Sequence, residues 1–261
     1  MKKIILLALV FLAIQSVAYA QKGYNFDYKM HPNKTCVLQM DIKSTNETSI
    51  DGKMTKSESV SKVSRSTTTK AANAAGLFPT VMTFDEAYIL NDGKEMTSPI
   101  SNTVIEGLMA EDNKFQIDTI INPKMDKAVR DALKIVFKDL KPEIEFPKKP
   151  LKIGDTFSQD VPMNIPLNGQ TIKIIITKNY TLKSVIKNLA EFSVKEDFKL
   201  DAPSENITAI GDGTGVVVFD ITENQVIKDT VRMTINMKVK TANGVILGYM
   251  NSNSKKTTVI K

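Results

Sequence analysis

Residues 231–240 alternate without a break. Val231, Met233, Ile235, Met237 and Val239 are apolar; Arg232, Thr234, Asn236, Lys238 and Lys240 between them are polar. Successive side chains of an extended strand point to opposite faces, so this run specifies a strand with one dry face and one wet face. The same period recurs at Tyr24, Phe26, Tyr28 and Met30, and at Leu38, Met40 and Ile42. It returns at Met82, Phe84, Tyr88 and Leu90, and again at Phe192, Val194, Phe198 and Leu200. Half-wet strands of this kind belong to antiparallel sheets. Turn dipeptides separate the runs, at Asp51-Gly52, Asp92-Gly93, Asn168-Gly169 and Asn243-Gly244. The pattern predicts roughly ten to twelve strands.

One helix is predicted among them, over 123–141. Asn122 suits the N-cap and Pro123 the first helical position, and Pro142 ends the segment. Met125, Ala128, Val129, Ala132, Leu133, Val136 and Leu140 share one face, widened by Ile135 and Phe137. That apolar arc covers about 200°, wider than a flat sheet can bury. The expected fold is therefore mainly β (α+β): a long curved antiparallel sheet, or incomplete barrel, wrapped around one central helix. About 19 helical residues would span about 28 Å, in keeping with long strands. The proline-bearing stretch 143–155 is the expected divide between two subdomains of one β-rich domain, 21–261. The Ser/Thr/Lys-rich segment 53–70 reads either as a long exposed strand pair or as a loop.

The first twenty residues carry an address. Lys2-Lys3, the apolar run Ile4 to Ile14 and Ala18-Tyr19-Ala20 form a secretory signal peptide, with cleavage expected after Ala20. The apolar run is too short for a permanent anchor, and no later segment is long and apolar enough to cross a membrane as a helix. A periplasmic or secreted protein is expected, soluble because Gln21, not Cys, follows the cleavage site. The short signal and the absence of disulfides favour a bacterial envelope. The sequons at Asn33, Asn46, Asn179 and Asn206 are then a by-product of β-rich composition.

Composition excludes several chemistries. With one cysteine, Cys36, no internal disulfide is available. A buried structural thiol is the ordinary reading of Cys36 and a reactive thiol the sharper one. The single histidine, His31, beside Pro32, leaves zinc only His31 and Cys36 as nitrogen or sulfur ligands, too few for a site, and a hydrolytic triad without an alternative base. Basic residues are scattered with no aromatic-interleaved stripe, so nucleic acid is not an expected partner. Gly211-Asp-Gly-Thr-Gly215 lacks the Lys-Ser/Thr ending of a phosphate loop and reads as a loop or bulged strand start leading into Val216–Phe219. Glu196 falls on the apolar side of its strand. It is either a functional acid or an acid paired with lysine or placed at a sheet edge. No catalytic residue, cofactor or metal is assigned, and an enzyme is not expected.

The stretch Phe146-Pro-Lys-Lys-Pro-Leu-Lys-Ile-Gly-Asp-Thr-Phe157, with Gly211-Asp-Gly-Thr-Gly-Val-Val-Val-Phe-Asp-Ile221, resembles an uncharacterised family of secreted bacterial envelope proteins. In that family a Pro-x-x-Pro-x-Lys-x-Gly-Asp-Thr stretch is followed by Trp, where this chain has Phe157. The resemblance implies no activity. A helix inside a curved sheet is also similar, at fold level, to the lipoprotein-localisation factors, incomplete barrels that carry acyl chains.

Twelve methionines are either ordinary core filling or the lining of an adaptable apolar hollow. On the second reading Met125, Val129, Leu133, Val136, Met233 and Met237 line a cavity between helix and sheet. The expected role is binding of a lipid, another hydrophobic small molecule or a lipidated partner there. The alternative is a non-catalytic module that docks on another envelope protein through its polar sheet faces; a hydrolase is disfavoured.

Overall fold

The computed structural model describes residues 22–28, 31–50, 52–111, 114–138, 143–167, 170–201, 205–241 and 244–261. Residues 1–20, read as a signal, and Met30 lie outside them. Twelve strands form one sheet: β1 (Lys34–Ile50), β2 (Lys53–Thr69), β3 (Phe78–Asn91), β4 (Lys94–Thr97), β5 (Thr103–Met109), β6 (Phe115–Ile121), β7 (Thr156–Leu167), β8 (Gln170–Ile186), β9 (Leu189–Leu200), β10 (Ile207–Asp220), β11 (Gln225–Thr241) and β12 (Gly244–Ile260). Their order is β6-β5-β3-β2-β1-β12-β11-β10-β9-β8-β7, with β4 paired to β3 off this path. Most strands thus lie beside a chain neighbour; β5 pairs with β3 past the short β4, β6 and β7 stand at opposite edges, and the first and last strands meet in the middle. Thr35 and Lys261 exchange backbone hydrogen bonds there, at 3.0 and 2.9 Å. The sheet is antiparallel and curved and does not close into a barrel; β6 and β7 are its edges.

The Ser/Thr-rich segment 53–70 is mostly β2, a full-length partner of β1 from Lys34↔Thr69 to Ile50↔Lys53. Gly52 at φ 79° turns this hairpin, and Asp92 and Gly93, at 48° and 77°, turn the next. Lys187-Asn188 makes a two-residue turn between β8 and β9 with Lys187 at φ 56°, a turn with no glycine to announce it.

One face of the sheet is concave and carries the core. The alternations at 231–239, 38–42 and 192–200 all direct their apolar members to it. In β3 the alternation changes phase. A bulge opposite Ser64/Arg65 inserts one residue, so Met82 and Phe84 face inward but Ala87 then takes the inward place expected of Tyr88. The glycines of 211–215 are a second correction. They lie within β10, not in a loop before it. A methyl on Gly215 would lie 2.2 Å from the Thr230 oxygen, and one on Gly211 2.5 Å from that of Thr234. Backbones so close require residues without side chains.

Residues 22–28 are not the predicted strand. Tyr24 makes one bridge to Leu151, and the arm crosses the concave face. Phe26 and Tyr28 join Phe146, Phe192 and Phe219 in an aromatic cluster with Tyr180, Leu182 and Val226.

The helix, α1 (Lys127–Lys138), begins later than the predicted 123; residues 139–141, with Leu140, lie outside the described set. Asp126, not Asn122, caps it, accepting from the Val129 amide at 2.8 Å. Asn122 instead accepts from the Lys124 amide at 2.9 Å and donates to Thr103 Oγ1 at 2.8 Å, which ties the preceding turn to β5. The helix lies against β6. Phe137 packs edge-on to Phe84 and Phe115 in a second cluster with Met82, Ile105 and Met109. Of the expected apolar arc, Ala128 is exposed and Val129 and Leu133 are half-buried.

Candidate functional site

The connection from β6 to β7 passes over the concave face. The helix sits at one edge, Glu143 reaches Lys256 of β12 in the middle, and the Glu145 amide donates to Gln159 of β7 at 3.1 Å. Beneath it lies a group of inward-facing charges. Lys178 of β8 and Glu196 of β9 are register partners, with Nζ and Oε1 2.9 Å apart. Glu196 is 5% exposed. Gly213 makes this possible, because a methyl there would meet Glu196 Cβ at 3.2 Å.

Glu143, Lys256 and Asp229 form the second group. Asp229 and Lys256 are cross-strand partners, and Glu143 pairs with Lys256 and hydrogen-bonds Asp229. Burial first, then the neighbouring Glu143 carboxylate, raise Asp229 to about 6, against the partial opposition of Lys256 and Lys178. Burial likewise raises the phenols of Tyr28 and Tyr180, both further disfavoured from ionising by Glu143.

The shift at Asp229 has a definite sign. Its folded value exceeds the unfolded 3.8, so the folded protein holds the extra proton, and this group contributes most stability at acid pH and loses it as pH rises through 6. Asp229→Asn should therefore stabilise the protein at pH 7 by about 1–3 kcal/mol. The gain should shrink toward zero as pH falls from 7 to 4.5. Urea unfolding of both proteins across that window checks it; a gain independent of pH would show that Asp229 is not the titrating group.

Between the aromatic cluster and the helix cluster, the middle strands leave their inward apolar side chains incompletely covered. Leu38, Met40 and Ile42 of β1, Val231 and Met233 of β11 and Met250 of β12 are only half-buried, and none joins an apolar cluster. They flank a trough along the concave face, with Ser252, Ser254 and Lys256 of β12 turned the same way between them.

The structure divides the predicted cavity residues. Met233 lies in the trough, and Met237 beside it packs on a third cluster with Ile174, Ile176, Phe198 and Ala209. Leu133 belongs to the helix cluster, Met125 is buried at the helix entrance, and Val129 is half-buried. Val136 lies in the helix, with its side chain outside the described set. Helix and β11 thus do not line one hollow among the described residues. Of Asp229, Lys256 and Arg65, missed in the sequence, Asp229 carries the signal that identified Glu196, in phase with Val231 and Met233, and Arg65 carries it through Val63; Lys256 has Ser254 and Thr258 in phase and carries none.

Cys36 is half-buried and its thiol is pushed up by burial, the behaviour of a structural thiol. His31 Nδ1 lies 3.7 Å from Glu223, whose carboxylate is held down by the Lys34 ammonium at 2.7 Å. Among the described residues no group of three or more His, Cys, Asp or Glu could hold a metal ion, and no helix is long and apolar enough to cross a membrane. On the convex face a groove of about 440 Å³ runs between the β1–β2 and β11–β12 hairpins, bordered by Met54, Ile210 and Leu247.

No family model matches the chain, and no curated protein matches it. The resemblance of 146–157 to an envelope family therefore rests on that stretch and 211–221 alone. Among solved structures the chain is similar to one described as lipid-protein interactions in lipovitellin, at 10% identity and a TM-score of 0.43. The alignment covers 88% of this chain but only 26% of the lipovitellin chain. An outer membrane channel from Pseudomonas putida F1 aligns at 6% identity and a TM-score of 0.23, over 91% of this chain and all of the channel. At those scores the likeness does not extend to function.

Proposed function

We propose that the protein is a non-enzymatic binder of an apolar ligand, the chain of a lipid or of a lipidated partner, held in the trough of the concave face. One observation carries this reading: Leu38, Met40, Ile42, Val231, Met233 and Met250 face inward yet stay half-wet. Inward positions of a one-sided sheet ordinarily reach full burial, as those of β9 do here. Apolar surface left open on the core side favours an apolar guest, at about 25 cal/mol for each Å² covered. Methionine suits such a lining, because its unbranched chain adapts to guests of different shape. The export signal read from residues 1–20 would put this role in the envelope or outside the cell.

Native mass spectrometry of the gently purified protein should show adducts of single-lipid mass. Met233→Lys, which sets a charge in the trough, should abolish them while the fold persists by circular dichroism. A bare protein mass, together with no thermal shift on adding fatty acids or lysolipids, would end the reading.

A further inference from the structure

Arg65 stands apart from the other inward charges. Lys178 has Glu196, and Lys256 has Glu143. Arg65 lies on β2 between Leu38 of β1 and Phe84 of β3, facing the trough. Among the described residues its guanidinium has no hydrogen bond and no ion pair, and its Nε is shut from solvent without a partner. The carboxylate that acts on it, Glu143, is engaged by Lys256 and Asp229. Two residues along the same face, Thr67 Oγ1 is also shielded and unpartnered. A guanidinium partly withdrawn from water, with no carboxylate of its own, is costly, and an anion laid against it would complete the pairing.

From these observations we infer that Arg65, with the Thr67 hydroxyl, anchors the oxyanion headgroup of an amphiphile whose tail lies in the trough over Leu38, Met40 and Met233. The inference rests on the trough reading above and adds the headgroup class. Arginine suits the task because its planar fork meets a carboxylate or a phosphate with two parallel hydrogen bonds. Leu38 lies directly across from Arg65 on β1, and Met40 is next on the same face. A headgroup on the guanidinium therefore leads straight onto apolar surface.

The test uses the purified protein with Nile red, an uncharged dye that reports occupancy of apolar sites, displaced in turn by oleyl alcohol, oleate and oleoyl lysophosphatidic acid. Wild-type protein should bind at least one of the two anions about tenfold or more tighter than the alcohol. Whichever anion binds tighter identifies carboxylate or phosphate as the headgroup. Arg65→Met should bring both anions down to the level of the alcohol, leave alcohol binding unchanged and raise the melting temperature of the empty protein. A purely structural arginine would lower it. Alcohol binding without any preference for the anions in the wild-type protein overturns the anchor and leaves the trough standing. An anion preference that survives in Arg65→Met also overturns the anchor. Displacement by none of the three overturns both. Should Arg65→Met fail to fold, its loss of structure contradicts the proposed role, because a ligand anchor is dispensable to the empty fold.

Discussion

Lys178→Met is expected to destabilise the protein by about 3–5 kcal/mol, because it leaves the Glu196 carboxylate buried and unpaired. The pair lies on the concave face between the aromatic cluster and the Ile174–Phe198 cluster, which leave the Glu196 carboxylate little access to water. Glu196 is 5% exposed and Lys178 23%. The double substitution Lys178→Met with Glu196→Leu should recover most of the loss, since two apolar groups of similar volume need no partner. Urea denaturation of the three proteins at pH 7 measures this. A single-variant loss under about 1 kcal/mol would mean that Glu196 is solvated in spite of its position.

Much of this architecture is legible in the chain because sheet periodicity is a short-range signal. The runs at 192–200 and 231–239 need no partner to declare which side is dry. What escaped reading depends on neighbours distant in sequence. Tyr88 changes face because a bulge opposite Arg65 adds a residue, and nothing in 78–91 marks the insertion. Gly211, Gly213 and Gly215 resemble a loop until Val231 and Glu196 stand beside them and show why side chains are excluded. The arm 22–28 alternates as a strand does, yet its apolar side serves an aromatic cluster and finds no strand edge beyond the bridge at Leu151. The helix starts later than expected for a related reason. Asn122 has the chemistry of an N-cap, but Pro99, Ser101 and Thr103 use its amide, and Asp126 caps the helix instead. The charged residues of the concave face were partly legible. A charge in phase with apolar neighbours marks it as inward, whereas its partner comes from topology: Glu143 meets Lys256 only because the β6–β7 connection crosses the open sheet.

That crossing also fixes where the fold is most sensitive to truncation. Phe192 is fully buried, and three separate parts of the chain converge on it: Phe26 of the arm at 5.2 Å, Phe146 of the connection at 5.8 Å and Phe157 of β7 at 6.1 Å between ring centres. Phe192→Ala should cost about 3–5 kcal/mol, from lost apolar transfer and the void left behind. The edge-on ring contacts add to the loss. Because arm and connection hold to the sheet through the same rings, the variant should also release both. Limited proteolysis should then cut near 22–28 and 143–150 before the strands, while wild-type protein resists at those positions. Uniform loss of protection across the sheet would instead show that arm and connection fold as one cooperative unit with the strands. If the stability cost stays below about 1 kcal/mol, the cluster closes around the gap and the three segments do not depend on Phe192 for their attachment.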